Sequence, residues 1–527
     1  MPETSSTPPP VRRREAVSVA VVTAAFGLLL TLWAVMTPMF QAPDEFTHWD
    51  ASVRVALDEG WPPPGEALNI AAAQAAQVTN FTIPPAERPT FGALQEQAPG
   101  YHDFVNQMTQ HPPTYYLLAG AVLDAVDFTQ HRWDAGVLAL RLLDVVLVAP
   151  LPLLTWATVR RLTRSPRTAL VAATALFAVP QLAQIGASVT NDAPVILLGG
   201  VVVWLTTRVL TGDRTWRTTL LLGAALGLML AVKGTAFPAV PFVALAVLLG
   251  GASTVPLRTR LLQTLGTGAV TAALGAWWWI GNLVRYGTLQ PNGLADERPP
   301  APWPAGEGPN AGLFFNTFWD GVTSSFWGQF GRAQYPVSPV VSDVLTVGAL
   351  LLVGVFAYRA RGTRRAALLL TVLPVVIAVV MLANGWNTYD ETQGVYGTQG
   401  RYFYPSLVAL VALSAIAATA LLAPGAPRRR AAVAVAVGAP LLALYGLSVA
   451  YRGFFEGFDL AVTEQGLREL AGSLPVGRPE FVVLALATLA GLVAVAVLTA
   501  RVRDRPELTT DDAAVPPARP VETSRQP

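Results

Sequence analysis

Long apolar runs, separated by short basic turns or longer polar stretches, account for most of the chain. They fall at about 17–39, 135–159, 168–187, 193–210, 218–232, 235–251, 262–281, 343–358, 367–384, 402–423, 430–449 and 479–500. A helix rising 1.5 Å per residue needs roughly 20 residues to cross the ~30 Å hydrocarbon core of a bilayer, and most of these runs approach that length. Backbone facing lipid must hydrogen-bond within its own segment, so the runs predict helices and an all-α polytopic membrane core. The first run follows Arg12, Arg13 and Arg14, and no small-residue cleavage pattern comes after it. It reads as a retained first transmembrane helix rather than a signal peptide.

Basic residues cluster between the runs: Arg160, Arg161, Arg164 and Arg167; Arg208, Arg214 and Arg217; Arg258 and Arg260; Arg359, Arg361, Arg364 and Arg365; Arg428, Arg429 and Arg430; Arg501, Arg503 and Arg505. Twelve crossings with both termini cytoplasmic put every cluster inside, as the positive-inside rule requires. The segment at 114–128 is apolar but short, and Asp124 and Asp127 interrupt it. As a full crossing it would invert every later loop, so it reads as a shallow interfacial helix on the outer side. Thirteen crossings are the alternative.

This topology gives a membrane domain over 17–500 with terminal tails at 1–16 and 501–527, the outermost parts Pro/Thr/Ser-rich and disordered in character. Four outer segments are expected, at 40–112, 282–342, 385–401 and 450–478. Loops of this size usually hold interfacial helices or substrate-binding segments.

Composition supports the membrane reading: 52% of residues are hydrophobic and only 13% charged. A net charge of +2 leaves no nucleic-acid footprint. The absence of cysteine excludes disulfides, thiolate catalysis and cysteine-based metal sites. No Walker A, glycine-rich nucleotide motif or solenoid repeat occurs. The excess of arginine over lysine, with Lys233 the only lysine, accompanies an Ala-, Gly- and Pro-rich composition and carries little functional information.

Several polar residues at the outer ends of the runs call for a reason. In QAPDEFTHWD at 41–50, Asp44 and His48 would share a helical face with Glu45 on the flank; the plainer reading is a solvated helix start. HPPTYY at 111–116 places His111 where the first loop returns to the membrane, and its tyrosines suit the interface. Asp192, after Asn191, lies at an outer turn as a second acid that could face Asp44, or as a cap. Lys233 is a lone cation with no acid nearby in sequence, suited to a phosphate or to snorkelling. Arg285 follows the aromatic run at 277–279, and Arg401 begins an outer helix where arginine is unexpected. Asp44, Asp192 and His48 are the candidates for a divalent metal, with no recognisable ligand spacing. Acids, histidines and isolated cations thus gather outside, which suits an enzyme acting on a phosphate-linked lipid. A transporter would more often place polar residues near the midplane.

These motifs resemble the GT-C superfamily of polytopic glycosyltransferases. Asp44-Glu45 with His48 resembles its first-loop acidic motif, HPPTYY its proline-aromatic segment, Asn191-Asp192 its second acidic position and Lys233 its lysine turn. Trp279, Asn282, Tyr286 and Gly287 match its W…N…YG run, with Arg285 displaced from the usual arginine. More closely, PDE…H at 43–48, FWG…FG at 326–331 and GRYFYP at 400–405 resemble DUF2142, a bacterial membrane family related to GT-C enzymes.

The resemblance implies a GT-C-like fold of about 12–13 transmembrane helices in the bacterial cytoplasmic membrane. It implies inverting transfer of a sugar from a polyprenyl-phosphate donor to a glycan or lipid acceptor on the outer face. Asp44 would be the general base, with Glu45, His48 and Asp192 orienting the acceptor or holding a metal such as Mg or Mn. Lys233, Arg285 and Arg401 would bind phosphate, with His111 in support. A flippase or transporter of lipid-linked glycans, and a structural subunit, are the alternatives; oligomeric state is left open.

Overall fold

The computed structural model describes residues 11–250, 255–294, 297 and 299–502. Asp296 and the outermost tails, including the stretch from Glu507, lie outside the described residues. All twelve apolar runs are helical over most of their length. The first is α1 (Arg13–Met36), which begins four residues before the expected boundary at Val17.

The polar segment that follows carries α2 (Glu45–Ala56), α3 (Ala71–Thr82) and α4 (Phe91–Gln97). It also holds a short antiparallel pair, β1 (Leu68–Ile70) and β2 (Tyr101–Val105), with Asn69 opposite His102. α5 (Thr114–Ala125) has 12 residues. At 1.5 Å per residue that is about 18 Å, too short to cross a bilayer.

α6 (Trp133–Val148) and α7 (Leu151–Thr163) occupy one 31-residue apolar stretch, broken where Pro150 lacks the N–H a continuous helix requires. Pro180 likewise divides the next run into α8 (Pro166–Ala175) and α9 (Pro180–Ile185), with a single 3₁₀ turn between them. α10 (Asp192–Leu210), α11 (Trp216–Leu230), α12 (Ala239–Leu249) and α13 (Leu257–Tyr286) follow. The next polar segment holds α14 (Ala311–Trp327) and the hairpin of β3 (Gln329–Phe330) with β4 (Tyr335–Pro336). The chain then runs through α15 (Pro339–Phe356), α16 (Arg364–Thr392), α17 (Leu407–Leu421), α18 (Ala426–Phe455), α19 (Glu464–Ser473) and α20 (Arg478–Arg501).

Among the described residues, eight helical stretches are long and apolar enough to cross a membrane, and three shorter apolar helices accompany them. α1 and α10 have 61% and 67% of their apolar windows buried, against 6% for α15 and 17% for α20. The former are interior helices. The latter expose Val344, Leu350, Leu351, Val483 and Leu486, as lipid-facing helices do.

At one end of the bundle, arginines pair locally: Arg160 with Glu15 at 2.7 Å and Arg208 with Asp213 at 2.5 Å. Arg161 donates to Thr211, and Arg260 to the Leu248 carbonyl. The polar segments converge at the other end, where Arg332 donates to the Phe40 carbonyl at 3.0 Å.

α16 continues to Thr392, so the first half of the expected outer segment at 385–401 is helical. Trp386 and Tyr389 pack there against Phe314 of α14, which supports the polar last turns. α14 lies within the 282–342 segment, where a loop of this size is expected to hold a helix.

Candidate functional site

The acidic turn begins where α1 ends. Arg141, fully buried on α6, uses all of its donors there. Nε and Nη2 form a two-pronged bond to the Glu45 carboxylate, both at 2.7 Å. Nη1 donates to the Ala34 and Thr37 carbonyls at 2.7 and 2.6 Å, and Nη2 to the Pro38 carbonyl at 3.0 Å. Glu45 also accepts from Val189 N–H at 3.2 Å. The Glu45 carboxylate is therefore a structural anchor, fully paired and directed at α6 rather than at a substrate. Its neighbour Asp44 adopts the left-handed conformation, φ 57°, which is uncommon for a residue with a Cβ. The turn sends the Asp44 side chain the other way, toward an open cavity.

The second acid is set by the same helix. Asp144, one turn after Arg141, accepts from Thr190 N–H at 2.8 Å and from the Tyr115 hydroxyl at 2.9 Å. This fixes the turn before α10. Asp192 then opens α10 and points at two cations.

Lys233 Nζ lies 2.5 Å from Asp192 Oδ1. Its turn is seated on Trp279, whose indole N–H donates to the Leu230 carbonyl at 3.0 Å. A Cβ on Gly234 would come within 2.7 Å of Gln290 Oε1 and 3.2 Å of the Trp279 ring. A larger residue there would have to push Gln290 aside and press on the indole.

Arg401 reaches the same carboxylate from α17's side. Its Nη2 lies 2.5 Å from Asp44 Oδ2, and its Nε lies 3.6 Å from Asp192 Oδ2. Arg401 rides on a 3₁₀ segment, Gly400–Ser406, docked against α14. Gly400 N–H donates to Ser325 Oγ at 2.7 Å, and the Tyr404 hydroxyl to the Phe326 carbonyl at 2.7 Å. Any Cβ at Gly400 would collide with the Val322 carbonyl and Phe326 N. The FWG and GRYFYP stretches thus form one joint that delivers Arg401 to the acids.

His48 and His111 are buried beside this cluster. His48 Nδ1 is 2.9 Å from the Tyr116 hydroxyl, and its Nε2 is 3.4 Å from Thr190 Oγ1. Burial, and then the Lys233 charge, hold the His48 imidazole down to about 3. His111 is also pushed well below the usual histidine range, first by burial. Its Nδ1 has no hydrogen-bond partner in the described structure. Both rings are neutral at physiological pH. Burial raises the Asp44 carboxyl, but the Arg401 guanidinium, with Lys233 behind it, outweighs that effect and holds it below the usual carboxylate range. Asp44 therefore stays ionised.

A cavity of about 370 Å³ opens beside Asp44 and Arg401. Asp192 and Lys233 are not part of its wall. The structure brings Asp44, His48, Asp192, Lys233 and Arg401 together, with His111 close by. It leaves Arg285 exposed on the last turn of α13, away from these contacts. Asn282 on that turn caps the local chain by donating to the Leu289 carbonyl at 3.0 Å. Arg141, Asp144 and Thr190 escape the sequence reading, which takes Tyr116 only as part of the interface segment. Arg141 and Asp144, three apart within an apolar run, are the readable signal, because charges inside a span are costly.

A divalent cation does not fit these residues. Asp44 and Asp192 already face Arg401 and Lys233, and the His48 nitrogens face Tyr116 and Thr190. Among the described residues, no three His, Cys, Asp or Glu side chains converge as ligands.

The sequence model of the DUF2142 family, described as a predicted membrane protein, matches residues 26–411. The chain belongs to this family, and the matched region runs through PDE…H, FWG…FG and GRYFYP. No protein of curated function matches the sequence. In solved structures it is similar to ArnT from Cupriavidus metallidurans in the apo state, at 15% identity and a TM-score of 0.49, covering 92% of this chain and 75% of that one. The same protein bound to undecaprenyl phosphate matches at 15% identity and 0.49, over 92% of this chain and 74% of that one. The apo oligosaccharyltransferase of Archaeoglobus fulgidus is similar at 12% identity and 0.41, over 93% of this chain and 57% of that one.

Proposed function

We propose that this protein is a membrane glycosyltransferase. It moves a sugar from a polyprenyl-phosphate donor to a cell-envelope glycan or lipid acceptor on the outer face of the cytoplasmic membrane. One observation carries the reading: a carboxylate, Asp44, and a cation paired with it, Arg401, face an open cavity, with a second cation, Lys233, held nearby on Asp192.

Arg401 Nη2 occupies Asp44 Oδ2, which leaves Oδ1 to meet an acceptor hydroxyl. As the acceptor oxygen forms its bond to the anomeric carbon, the bond from that carbon to the phosphate oxygen breaks and its electron pair stays on the phosphate. The acceptor proton passes to Asp44 Oδ1 and then to solvent through the cavity. A carboxylate held below its usual range is a weak base. It suffices because the hydroxyl becomes strongly acidic once its oxygen has begun to bond. Bond making and breaking on opposite faces gives inversion, and no second nucleophilic carboxylate is needed.

The phosphate needs donors that are free to turn toward it. Nε and Nη1 of Arg401 are buried without hydrogen-bond partners, and the Lys233 ammonium has three donors, one of them used on Asp192. Cations held in a water-poor pocket stabilise charge developing on a leaving phosphate more than they would in bulk water. Asp192 keeps them in place between turnovers. The test is transfer from membrane-extracted polyprenyl-phosphate sugars, read as a mass increment on envelope acceptors. It should be present with wild type and absent with Asp44→Asn.

A further inference from the structure

The cavity beside Asp44 presents more apolar than polar wall, as ligand sites usually do, so its few polar groups decide what it recognises. Here the side chains of Gln77, Gln181, Gln329 and Gln399 join Thr47 and Ser325 in the lining. Four separate parts of the chain supply the glutamines: α3, α9, β3 and the stretch before Gly400.

The amides are held in different ways. Gln181 is buried; its Oε1 accepts from Gln329 N–H at 2.7 Å and its Nε2 donates to Gln184 at 3.2 Å. It is a fixed part of the wall that positions Gln329. Gln329 Nε2 donates to the Ala333 carbonyl at 3.1 Å, which leaves its Oε1 available. Gln77 and Gln399 are half-buried, and their side chains make no hydrogen bond within the described structure. A primary amide offers two donors and an acceptor. A sugar hydroxyl both donates and accepts, so a wall of amides matches a run of hydroxyls. A lipid tail would offer no partner to the free amides of Gln77 and Gln399.

The position of the cavity identifies which substrate enters it. Inverting displacement requires the acceptor oxygen and the leaving phosphate on opposite faces of the sugar. Asp44 and Arg401 both line the cavity and Lys233 does not, so the free Oδ1 of the proton acceptor faces this space while the second cation stays outside it. We propose that this cavity is the acceptor subsite, that the acceptor is a hydroxyl-rich glycan, and that Gln77, Gln329 and Gln399 determine its specificity. This rests on the glycosyltransferase reading and narrows it. A volume of about 370 Å³ is near the lower end of the roughly 300–1,000 Å³ typical of such sites. It therefore takes the end of a glycan rather than a long stretch.

The test is saturation-transfer NMR on the full chain in nanodiscs, with a panel of uncharged hexose and pentose trisaccharides as probes. Wild type and Asp44→Asn, which keeps the side-chain shape, should both bind at least one member. The double variant Gln77→Leu/Gln399→Leu should bind that member about tenfold more weakly with an unchanged melting temperature, since neither amide bonds within the protein. Binding by no trisaccharide, or equal affinity in the double variant, overturns the proposal. The outcome separates from that of the transfer assay. Glycan binding without any sugar transfer would leave the subsite standing and defeat the enzymatic reading. Transfer to an acceptor that does not depend on these glutamines would do the reverse.

Discussion

Arg401 donates from Nη2 to Oδ2 of Asp44 at 2.5 Å, although 357 positions separate the two in the chain. The bond joins the GRYFYP stretch to the PDE stretch. Through the nearby Asp192 carboxylate it also connects to Lys233. The charge state of Asp44, and the donors available to a phosphate, both depend on this guanidinium.

Replacing Arg401 with glutamine removes the main group holding the Asp44 carboxyl down, while burial continues to push it up. Asp44 then titrates at higher pH, and the acid limb of the pH–rate profile should move upward. The rate plateau should fall on the order of 10²–10³-fold, as for loss of a charge-stabilising donor. A plateau loss with an unmoved acid limb would separate Arg401 from Asp44.

The Arg141–Glu45 pair is fully buried. Breaking such a pair typically costs about 3–5 kcal/mol, because the remaining charge is left uncompensated. Arg141→Met should lower the melting temperature more than Glu45→Gln, since Arg141 also serves three backbone carbonyls. Asp44→Asn should change it little. Thermal unfolding of the three variants in one detergent checks the order.

The contrast between these residues shows what can be read from sequence. Asp44, Asp192 and Arg401 sit at the ends of apolar runs, where a charge has no local explanation and draws attention. Their partners do not follow from any local period. Lys233 looks isolated because its acid is Asp192, 41 positions away and on another helix. Glu45 looks equivalent to Asp44 from spacing, yet the left-handed turn at Asp44 directs the two carboxylates to different neighbours. Arg285 reads as a phosphate binder from its place after the aromatic run at 277–279, and the last turn of α13 leaves it exposed. Apolar length foretells twelve helical runs. The helical end of α16 and the bounds of α14 escape because aromatic and polar residues there find partners only in the folded protein.

Asp50 gives a stability effect independent of the chemistry. It accepts from Ile70 N–H at 2.8 Å and Asn106 Nδ2 at 2.6 Å; burial still raises its carboxyl to about 7, against about 3.9 in an unfolded chain. Between those values the folded state holds the proton more tightly than the unfolded state does. Stability from this group is present below about pH 4 and is lost as pH rises through about 7. Melting temperature against pH should show that decline. Asp50→Asn should flatten it at a constant cost, because its new N–H group opposes an existing donor.

His48 and His111 should stay neutral across the physiological range, since burial holds both below the usual histidine value. In histidine-labelled protein, ring resonances assigned through His48→Gln and His111→Gln should show no titration between about pH 5 and 8, the range in which an unperturbed imidazole titrates. Titration of His48 near 6.5 would mean that its bonds to Tyr116 and Thr190 do not persist.

The central claim is that Asp44 takes the acceptor proton in sugar transfer from a polyprenyl-phosphate donor. The most direct measurement is product mass after incubation of wild type and Asp44→Asn with polyprenyl-phosphate sugars and envelope acceptors, both proteins first shown to be folded. A hexose or pentose increment with wild type alone is the predicted result. An equal increment from Asp44→Asn, or none from either protein across a broad donor panel, would contradict it.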